Sequence, residues 1–353
     1  MYLQSRFFIK ALNKASPVVL VSLCFFALLG CEQSVKQRVY TLEGRTMGTT
    51  YHITAVVKPG VNIVENPLQI EVDKLLENIN QVMSTYIVDS ELSLLNRVEA
   101  NKPTVVSEQL FSVLSLSRAV SDLSSGAFDI TVGPLVNLWG FGPTEQKDQQ
   151  PEPAKIEQTL AQVGYQHIAL DKERLQVTKT ANVYIDLSAV AKGYGADAVA
   201  ELLEHHGISD YMVELGGEIA LAGNNASGVG WRIGVEQPTL AQTGVIEAVT
   251  TLKGGIATSG DYRNYFEVEG RRFSHTIDPS TGYPIAHTLA SVTVVAASAA
   301  KADALATAIN VLGPDSGYTL AVNKKIAAYF IIRHKDGFIT KATPEFSQYR
   351  VTL

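Results

Sequence analysis

The amino-terminal segment constrains the chain most, because it decides which part of the sequence remains to fold. Three basic residues, Arg6, Lys10 and Lys14, precede an apolar run over residues 18–29. The run is about a dozen residues long, whereas a membrane-spanning helix needs roughly 20 and a secretory signal about 7–15. We therefore predict a secretory signal peptide over residues 1–30. An uncleaved signal anchor is the alternative.

The expected cleavage point is the segment Leu28-Leu29-Gly30-Cys31. A small residue directly before a cysteine suits a peptidase that cuts in front of a lipid-modified cysteine, and the segment resembles the bacterial lipobox. We predict that Cys31 becomes the acylated first residue, that residues 31–38 form a lipidated tether and that residues 39–353 form the folded body. We expect a lipid anchor in the inner membrane, with the body on the periplasmic side.

Cysteine content then limits how the body can be stabilised. Cleavage before Cys31 removes 30 of the 353 residues, including Cys24, and leaves 323 residues with one cysteine. No intramolecular disulfide can form, even in an oxidising compartment. A chain of this length buries enough apolar surface to fold without one. We expect one large domain or two intimately joined ones.

Charge and periodicity indicate the class of protein. The net charge is −6 and the sequence has no basic stripe, which argues against a nucleic-acid partner.

Helical and strand patterns are mixed without strict βαβ alternation, which predicts an α+β fold with mixed or antiparallel sheets. The polar segment 145–153 is a candidate boundary or lid. Helices are predicted over residues 68–82, 107–126, 154–163, 188–206 and 299–312. Strands are predicted in 39–58, at both sides of 171–174, and over 211–215, 218–222, 231–236, 245–252, 265–268, 272–275, 291–296, 326–333 and 338–341.

Asp303 and Thr307 are the first candidate ligands. They lie four residues apart on a predicted helix, so both oxygens project from one face, which is otherwise rich in alanine. A carboxylate with a hydroxyl suits Mg²⁺, which completes its shell with phosphate. Alternatively, Asp303 complements the helix dipole in a first turn and Thr307 bonds back to its own helix.

The segment from Ile185 to Asp197 passes from a strand end into a helix start. Helix amino termini bind anions through free N–H groups. Lys192 is placed to meet a phosphate, and Asp186 could accept a hydrogen bond from ribose or base. The alternative is a solvated lysine and an aspartate that caps the helix.

His275 ends a predicted strand, and Asp278 with Gly282 predicts a tight turn after it. A histidine beside a carboxylate can act as a general base, because the carboxylate orients the imidazole or raises its pKa. A purely structural role for His275 is the alternative.

Aromatic residues near glycine and proline in segments 83–86, 126–134 and 139–142 could stack on a planar ring or form ordinary core. The sequence has no Walker A or GxGxxG element.

Eight segments follow one another along the chain: Thr46-Met47-Gly48-Thr49, Ser84-Thr85-Tyr86 with Asp89-Ser90-Glu91-Leu92, Phe128-Asp129-Ile130-Thr131-Val132-Gly133-Pro134, Ile185-Asp186-Leu187-Ser188 with Ala191-Lys192-Gly193-Tyr194, Glu214-Leu215-Gly216-Gly217-Glu218, Ser259-Gly260-Asp261-Tyr262, His275-Thr276-Ile277-Asp278-Pro279, and Asp303-Ala304-Leu305-Ala306-Thr307. In this order they resemble the ApbE family of FAD:protein FMN transferases. The resemblance spans roughly residues 40–312. Gly195-Ala196 departs from it, because Ala-Val is usual there.

The resemblance implies a T-fold-like α+β body with FAD in a cleft. FAD would contact Met47, Tyr86, Ala127, Phe128, Asp129, Asp186, Lys192 and Ile277. Mg²⁺ would be held by the Ala189 carbonyl, Asp303 and Thr307.

The resemblance also implies a reaction. The FAD pyrophosphate is cleaved, AMP leaves, and FMN joins a Thr or Ser hydroxyl of an acceptor protein as a phosphoester. His275 is the expected base and Asp278 the residue that orients it. The acceptors would be flavoprotein subunits of Na⁺-translocating NADH:quinone reductase or Rnf-type complexes. An FAD pyrophosphatase that releases FMN and AMP, and a non-catalytic FAD-binding lipoprotein, are the alternatives.

Overall fold

The computed structural model describes residues 37–142, 150–238, 244–261, 265–268, 271–335 and 337–351. The predicted signal peptide, Cys31 and most of the tether lie outside these ranges, as does most of the polar segment 145–153. Residues Arg38–Leu353 form one compact unit. Within the described ranges, no helix is both long enough and apolar enough to cross a membrane.

The described residues form seven α-helices and sixteen β-strands. The helices are α1 (Glu65–Met83), α2 (Glu91–Arg97), α3 (Glu108–Leu123), α4 (Gly133–Leu138), α5 (Pro153–Leu160), α6 (Ala191–His205) and α7 (Ala299–Asn323). The strands are β1 (Arg38–Thr46), β2 (Thr49–Val57), β3 (Thr104–Val105), β4 (Ile168–Asp171), β5 (Gln176–Lys179), β6 (Asp210–Leu215), β7 (Glu218–Ala222), β8 (Ile233–Glu236), β9 (Val245–Val249), β10 (Lys253–Gly260), β11 (Tyr265–Val268), β12 (Arg271–Ser274), β13 (Leu289–Ala296), β14 (Ala327–His334), β15 (Gly337–Ala342) and β16 (Arg350–Val351).

One large sheet organises the body. Its eight strands are antiparallel in the order β1-β2-β6-β7-β10-β13-β14-β15, and three smaller antiparallel sheets surround it. The hairpin between β1 and β2 turns at Met47 and Gly48, which both have positive φ, as a type I′ turn requires. The prediction of an α+β fold with antiparallel sheets in a single body is confirmed.

Both faces of the large sheet are covered, because successive side chains of a strand point to opposite faces. Val292 and Val294 of β13 join the main core with helices α1, α3, α6 and α7. Val295 joins a second core on the other face, which also contains Trp231 and Phe346. Helices α6 and α7, which carry Lys192, Asp303 and Thr307, lie on the side of the main core.

A third apolar cluster holds the β11–β12 hairpin against α4 and α5. The rings of Trp139 and Phe273 stack with centroids 5.4 Å apart. Trp139 Nε1 also donates a hydrogen bond of 2.9 Å to the carbonyl of Gly282, in the turn that follows His275. This cluster therefore fixes the segment that carries the predicted base.

Two helices differ from the sequence prediction in informative ways. Helix α6 begins at Ala191, three residues later than expected, because the Asp186 carboxylate accepts hydrogen bonds from the backbone and hydroxyl of Ser188. Helix α7 is regular up to Leu312, as predicted, and then breaks at Gly313, which has a φ of 77° and precedes Pro314. Helical structure resumes after this kink and continues to Asn323.

Candidate active site

A cavity of about 410 Å³ opens where the third cluster meets the carboxyl end of β10 and the first turns of α6 and α7. Eleven of the thirteen site residues predicted in the body line this cavity: Tyr86, Ala127, Phe128, Asp129, Asp186, Ala189, Lys192, His275, Ile277, Asp303 and Thr307. They come from segments that are far apart in sequence. The fold therefore collects most of the predicted set around one space.

Asp303 lies in the second turn of α7 and is only 5% exposed. Two backbone N–H groups in the first turn of α7 are capped by Asp197. Its two carboxylate oxygens accept hydrogen bonds from the N–H groups of Ala299 and Ala300, at 2.7 and 2.8 Å. Asp303 instead reaches across to α6, where its Oδ2 accepts a 3.1 Å hydrogen bond from the Gly193 N–H. Asp303 thus bonds to the start of α6 and not to the first turn of its own helix.

Glycine at position 193 makes this approach possible. A Cβ there would lie 2.5 Å from the carbonyl oxygen of Ala299 and 2.7 Å from the Cα of Ala300. Only a residue without a side chain lets α6 pass so close to the start of α7. The Asp303 carboxylate and Lys192, on the first turn of α6, thereby come to face one another.

Lys192 lies between two acidic residues. Its Nζ is 2.9 Å from Glu218 Oε1 and 3.8 Å from Asp303 Oδ2. Glu218 is 5% exposed and lines the same cavity, yet the sequence analysis did not single it out. The available signal was its place at the end of Glu214-Leu215-Gly216-Gly217-Glu218, directly after a turn formed by two glycines.

Electrostatics couple these three groups. Burial by itself would lower the pKa of Lys192, but the charges of Asp303 and Glu218 outweigh it and raise that pKa. Burial raises the pKa of Glu218, and the neighbouring Asp303 charge raises it further. Burial also raises the pKa of Asp303, against the effect of the Lys192 charge. Both carboxyls are buried beside one cation, Lys192, so a further cation at this place would stabilise their charged forms.

The residues predicted to contact FAD have different surroundings. Tyr86 is 65% exposed at the edge of the cavity, and its pKa is raised by partial burial and by the charge of Asp186. Asp129 is buried, and its carboxylate accepts hydrogen bonds from Thr131 and from the backbone N–H of Tyr165. Asp129 therefore also shapes its own loop, while the adjacent Ala127 and Phe128 line the cavity.

His275 and Ile277 lie in the cavity wall beyond β12. The ring of His275 meets that of Phe141 edge-on, with centroids 6.3 Å apart. Ile277 is buried and forms an isolated bridge with Pro284, which closes the turn after it. The imidazole is thus held on a short, well-packed segment.

Two predicted residues do not line this cavity. Met47 packs against the main core beside Gly195. Asp278 lines a second cavity of about 470 Å³, and its Oδ1 accepts hydrogen bonds from the backbone and hydroxyl of Ser280. The FAD contact of Met47 and the orienting role of Asp278 stay predictions.

A divalent cation fits the residues at the base of the cavity. Among the described residues no cluster of three or more His, Cys, Asp or Glu side chains could hold a metal alone, so any ion here needs other oxygens. Ala189, Asp303 and Thr307 line one space and offer a carbonyl, a carboxylate and a hydroxyl. Such a hard, incomplete set suits Mg²⁺ that is shared with phosphate.

Comparison with known proteins identifies the family. The ApbE family model matches residues 47–330. The FAD:protein FMN transferase of Haemophilus influenzae is 43% identical, over 92% of this chain and 95% of its own length. The enzyme of the same name from Vibrio cholerae is 44% identical, over 94% of this chain and 98% of its own. The solved structure of the flavin transferase ApbE from Vibrio cholerae superposes with a TM-score of 0.82 at 41% identity, and covers 89% of this chain and 99% of that one. The chain belongs to the ApbE family.

Proposed function

We propose that this chain is an FAD:protein FMN transferase that moves FMN from FAD to a Thr or Ser hydroxyl of an acceptor protein. The observation that carries the proposal is the single cavity in which Lys192, Asp303, Thr307 and His275 meet. This combination supplies a cation for a phosphate, oxygen ligands for a metal and a candidate base. Family membership supports the flavin substrate and the transferase reaction.

The proposed reaction is one phosphoryl transfer. The acceptor hydroxyl oxygen forms a bond to the phosphorus on the FMN side of FAD, and the bridging P–O bond breaks with its electrons going to AMP. His275 takes the hydroxyl proton, which makes the oxygen a better nucleophile and contributes roughly 10²–10⁴ in rate. Lys192 meets the negative charge of the pyrophosphate. Phosphoryl transfer depends mainly on such positioning and charge neutralisation.

Mg²⁺ is the proposed metal. When bound, it would neutralise charge on the two phosphates and align them for displacement. The Ala189 carbonyl, Asp303 and Thr307 are the residues of this chain that would hold it. The buried, incompletely compensated carboxyl of Asp303 supports this assignment, because a cation removes the cost of its burial.

One experiment separates this function from its alternatives. The protein is incubated with FAD, Mg²⁺ and a flavoprotein acceptor domain, and flavin fluorescence that survives denaturation on the acceptor is measured together with released AMP. We expect covalent flavin and AMP in equal amounts. AMP with free FMN would indicate a pyrophosphatase, and bound FAD without AMP a non-catalytic binding protein; either outcome refutes the proposal.

The cellular setting is also proposed. The basic leader, the short apolar run and Cys31 support a lipid-anchored body on the periplasmic side of the inner membrane. Flavoprotein subunits of Na⁺-translocating NADH:quinone reductase or Rnf-type complexes are the proposed acceptors. Metabolic labelling with a fatty acid tests the anchor: wild type should be labelled and Cys31→Ala should not, and labelling of both would refute it.

A further inference from the structure

Glu218 is the buried acidic residue in the cavity to which the proposed reaction gives no role. Its Oε1 lies 2.9 Å from Lys192 Nζ, whereas Asp303 Oδ2 lies 3.8 Å from the same nitrogen. Among the described residues its Oε2 is buried without a hydrogen-bond partner. The ammonium of Lys192 is thus bonded to one carboxylate and held slightly away from the other.

The turn before Glu218 is built to allow this arrangement. Gly216 has a φ of 63°, and a Cβ there would lie 3.2 Å from Lys192 Cδ and 2.7 Å from the Thr49 side chain. The lysine stem therefore runs past the bare backbone of Gly216 and reaches Glu218 at the first position of β7. The Gly216-Gly217 turn directs the ammonium to Glu218.

Which of the two carboxylates binds the Lys192 ammonium affects the charge that Asp303 can offer to a metal. The partly buried ammonium of Lys192 needs a hydrogen-bond acceptor within reach, because its desolvation is otherwise uncompensated. If residue 218 offered no acceptor, the nearest carboxylate to Lys192 among the described residues would be Asp303, about 1 Å beyond hydrogen-bond distance. A full Lys192–Asp303 ion pair would withdraw the charge that a divalent cation needs from Asp303.

We propose that Glu218 is a positioning residue that holds the Lys192 ammonium away from Asp303, so that Asp303 stays available to a divalent cation. The inference rests on the proposed metal role of Asp303 and deepens it. Glu218 acts through Lys192 and does not itself touch the reacting atoms. The separation between Lys192 and Asp303 then decides how strongly the cavity binds the metal.

Cation affinity of the full chain without FAD tests this inference. Mn²⁺ is titrated calorimetrically into wild type, Glu218→Met, Glu218→Gln and the double variant Lys192→Met/Glu218→Met. Methionine fills the volume of glutamate without an acceptor for Lys192, whereas glutamine removes the charge and keeps an acceptor oxygen. Urea unfolding shows that each variant is folded, and Glu218→Ala replaces Glu218→Met if the latter does not fold.

We expect Glu218→Met to weaken Mn²⁺ binding at least tenfold, which is about 1.4 kcal/mol. Glu218→Gln should remain within threefold of wild type, and so should the double variant, because it has no ammonium to occupy Asp303. Equal weakening in Glu218→Met and Glu218→Gln would show that only charge matters and would overturn the inference. Unchanged affinity in Glu218→Met, or no Mn²⁺ binding by wild type, would also overturn it.

The same preparations separate this inference from the proposed function. Wild type that transfers no flavin but shows the expected Mn²⁺ series would refute the transferase function and leave the role of Glu218 standing. Wild type that transfers flavin while Glu218→Met and Glu218→Gln bind Mn²⁺ alike would refute only the role of Glu218. A crystal structure of Glu218→Met supplies a direct readout, since the 3.8 Å separation between Lys192 and Asp303 should close to hydrogen-bond distance.

Discussion

The contact between α6 and α7 offers the sharpest test of how this site is built. Replacing Gly193 by Ala would put a Cβ 2.5 Å from the carbonyl oxygen of Ala299, about 0.9 Å inside the 3.4 Å at which ordinary contact begins. The obstacle is helix backbone, so the two helices must separate. Overpacking of this kind costs about 1–3 kcal/mol, and the better helix propensity of alanine returns about 0.5–1 kcal/mol. We expect a net loss of up to about 2.5 kcal/mol in the free energy of unfolding.

Function should fall with stability, because the Gly193 N–H to Asp303 bond lies at the same contact. We expect at least a tenfold loss of flavin transfer at a fixed Mg²⁺ concentration, measured as covalent flavin on the acceptor. Gly195→Ala is the matched control on the same helix. Its Cβ would meet the ends of the Leu215, Met47 and Leu76 side chains, at 3.0, 3.3 and 3.7 Å, and these can move. Urea unfolding that gives the two variants equal stability, with equal transfer rates, would refute the reasoning.

Three further predictions concern Asp303 and His275 in the site and His287 outside it. Asp303→Ala should abolish Mg²⁺-dependent turnover, and unchanged activity would refute the metal assignment. His275→Ala should lose at least a hundredfold in transfer while FAD still binds in a fluorescence titration; full transfer would exclude His275 as the base. Burial lowers the pKa of His287 below the 6.5 of a free imidazole. The unfolded chain therefore takes up a proton first, and stability that is present above pH 6.5 is lost as pH falls below it. Between pH 7.5 and 5.5, wild type should lose up to about 1.4 kcal/mol more than His287→Gln in urea unfolding, and equal losses would contradict this.

Local patterns predicted much of the fold. Helices α1 and α3 form where helices were predicted over 68–82 and 107–126, and Ser107 Oγ caps α3 by accepting a hydrogen bond from the Leu110 N–H. The strands predicted at 265–268 and 272–275, and at 326–333 and 338–341, are present and pair as β11–β12 and β14–β15. These features depend on residues that are close in sequence, so their physical causes can be recognised in a single segment.

Strand β10 is an element that local sequence patterns did not predict. No strand was predicted over 253–260, where Gly254 and Gly255 lie, yet β10 lies between β7 and β13 in the large sheet. A Cβ at Gly254 would lie 2.6 Å from the carbonyl oxygen of Ala296, and one at Gly255 would collide with the backbone of Ala299. Glycine is required because other chain segments approach closely. Because glycine has no side chain, these two positions add nothing to the alternation of apolar and polar residues by which a strand is recognised.

The candidate site, like the fold, was predicted from the sequence only in part. The sequence by itself determined which residue types were available, including Lys192 at a helix start and Asp303 and Thr307 on one helix face, and the order of segments indicated the family. Only the tertiary structure decided that Glu218 shares Lys192 with Asp303 and that Asp278 lies in a different cavity. The reason is physical: charge coupling depends on distances between side chains, and here the backbone packing of α6, α7 and β7 sets those distances.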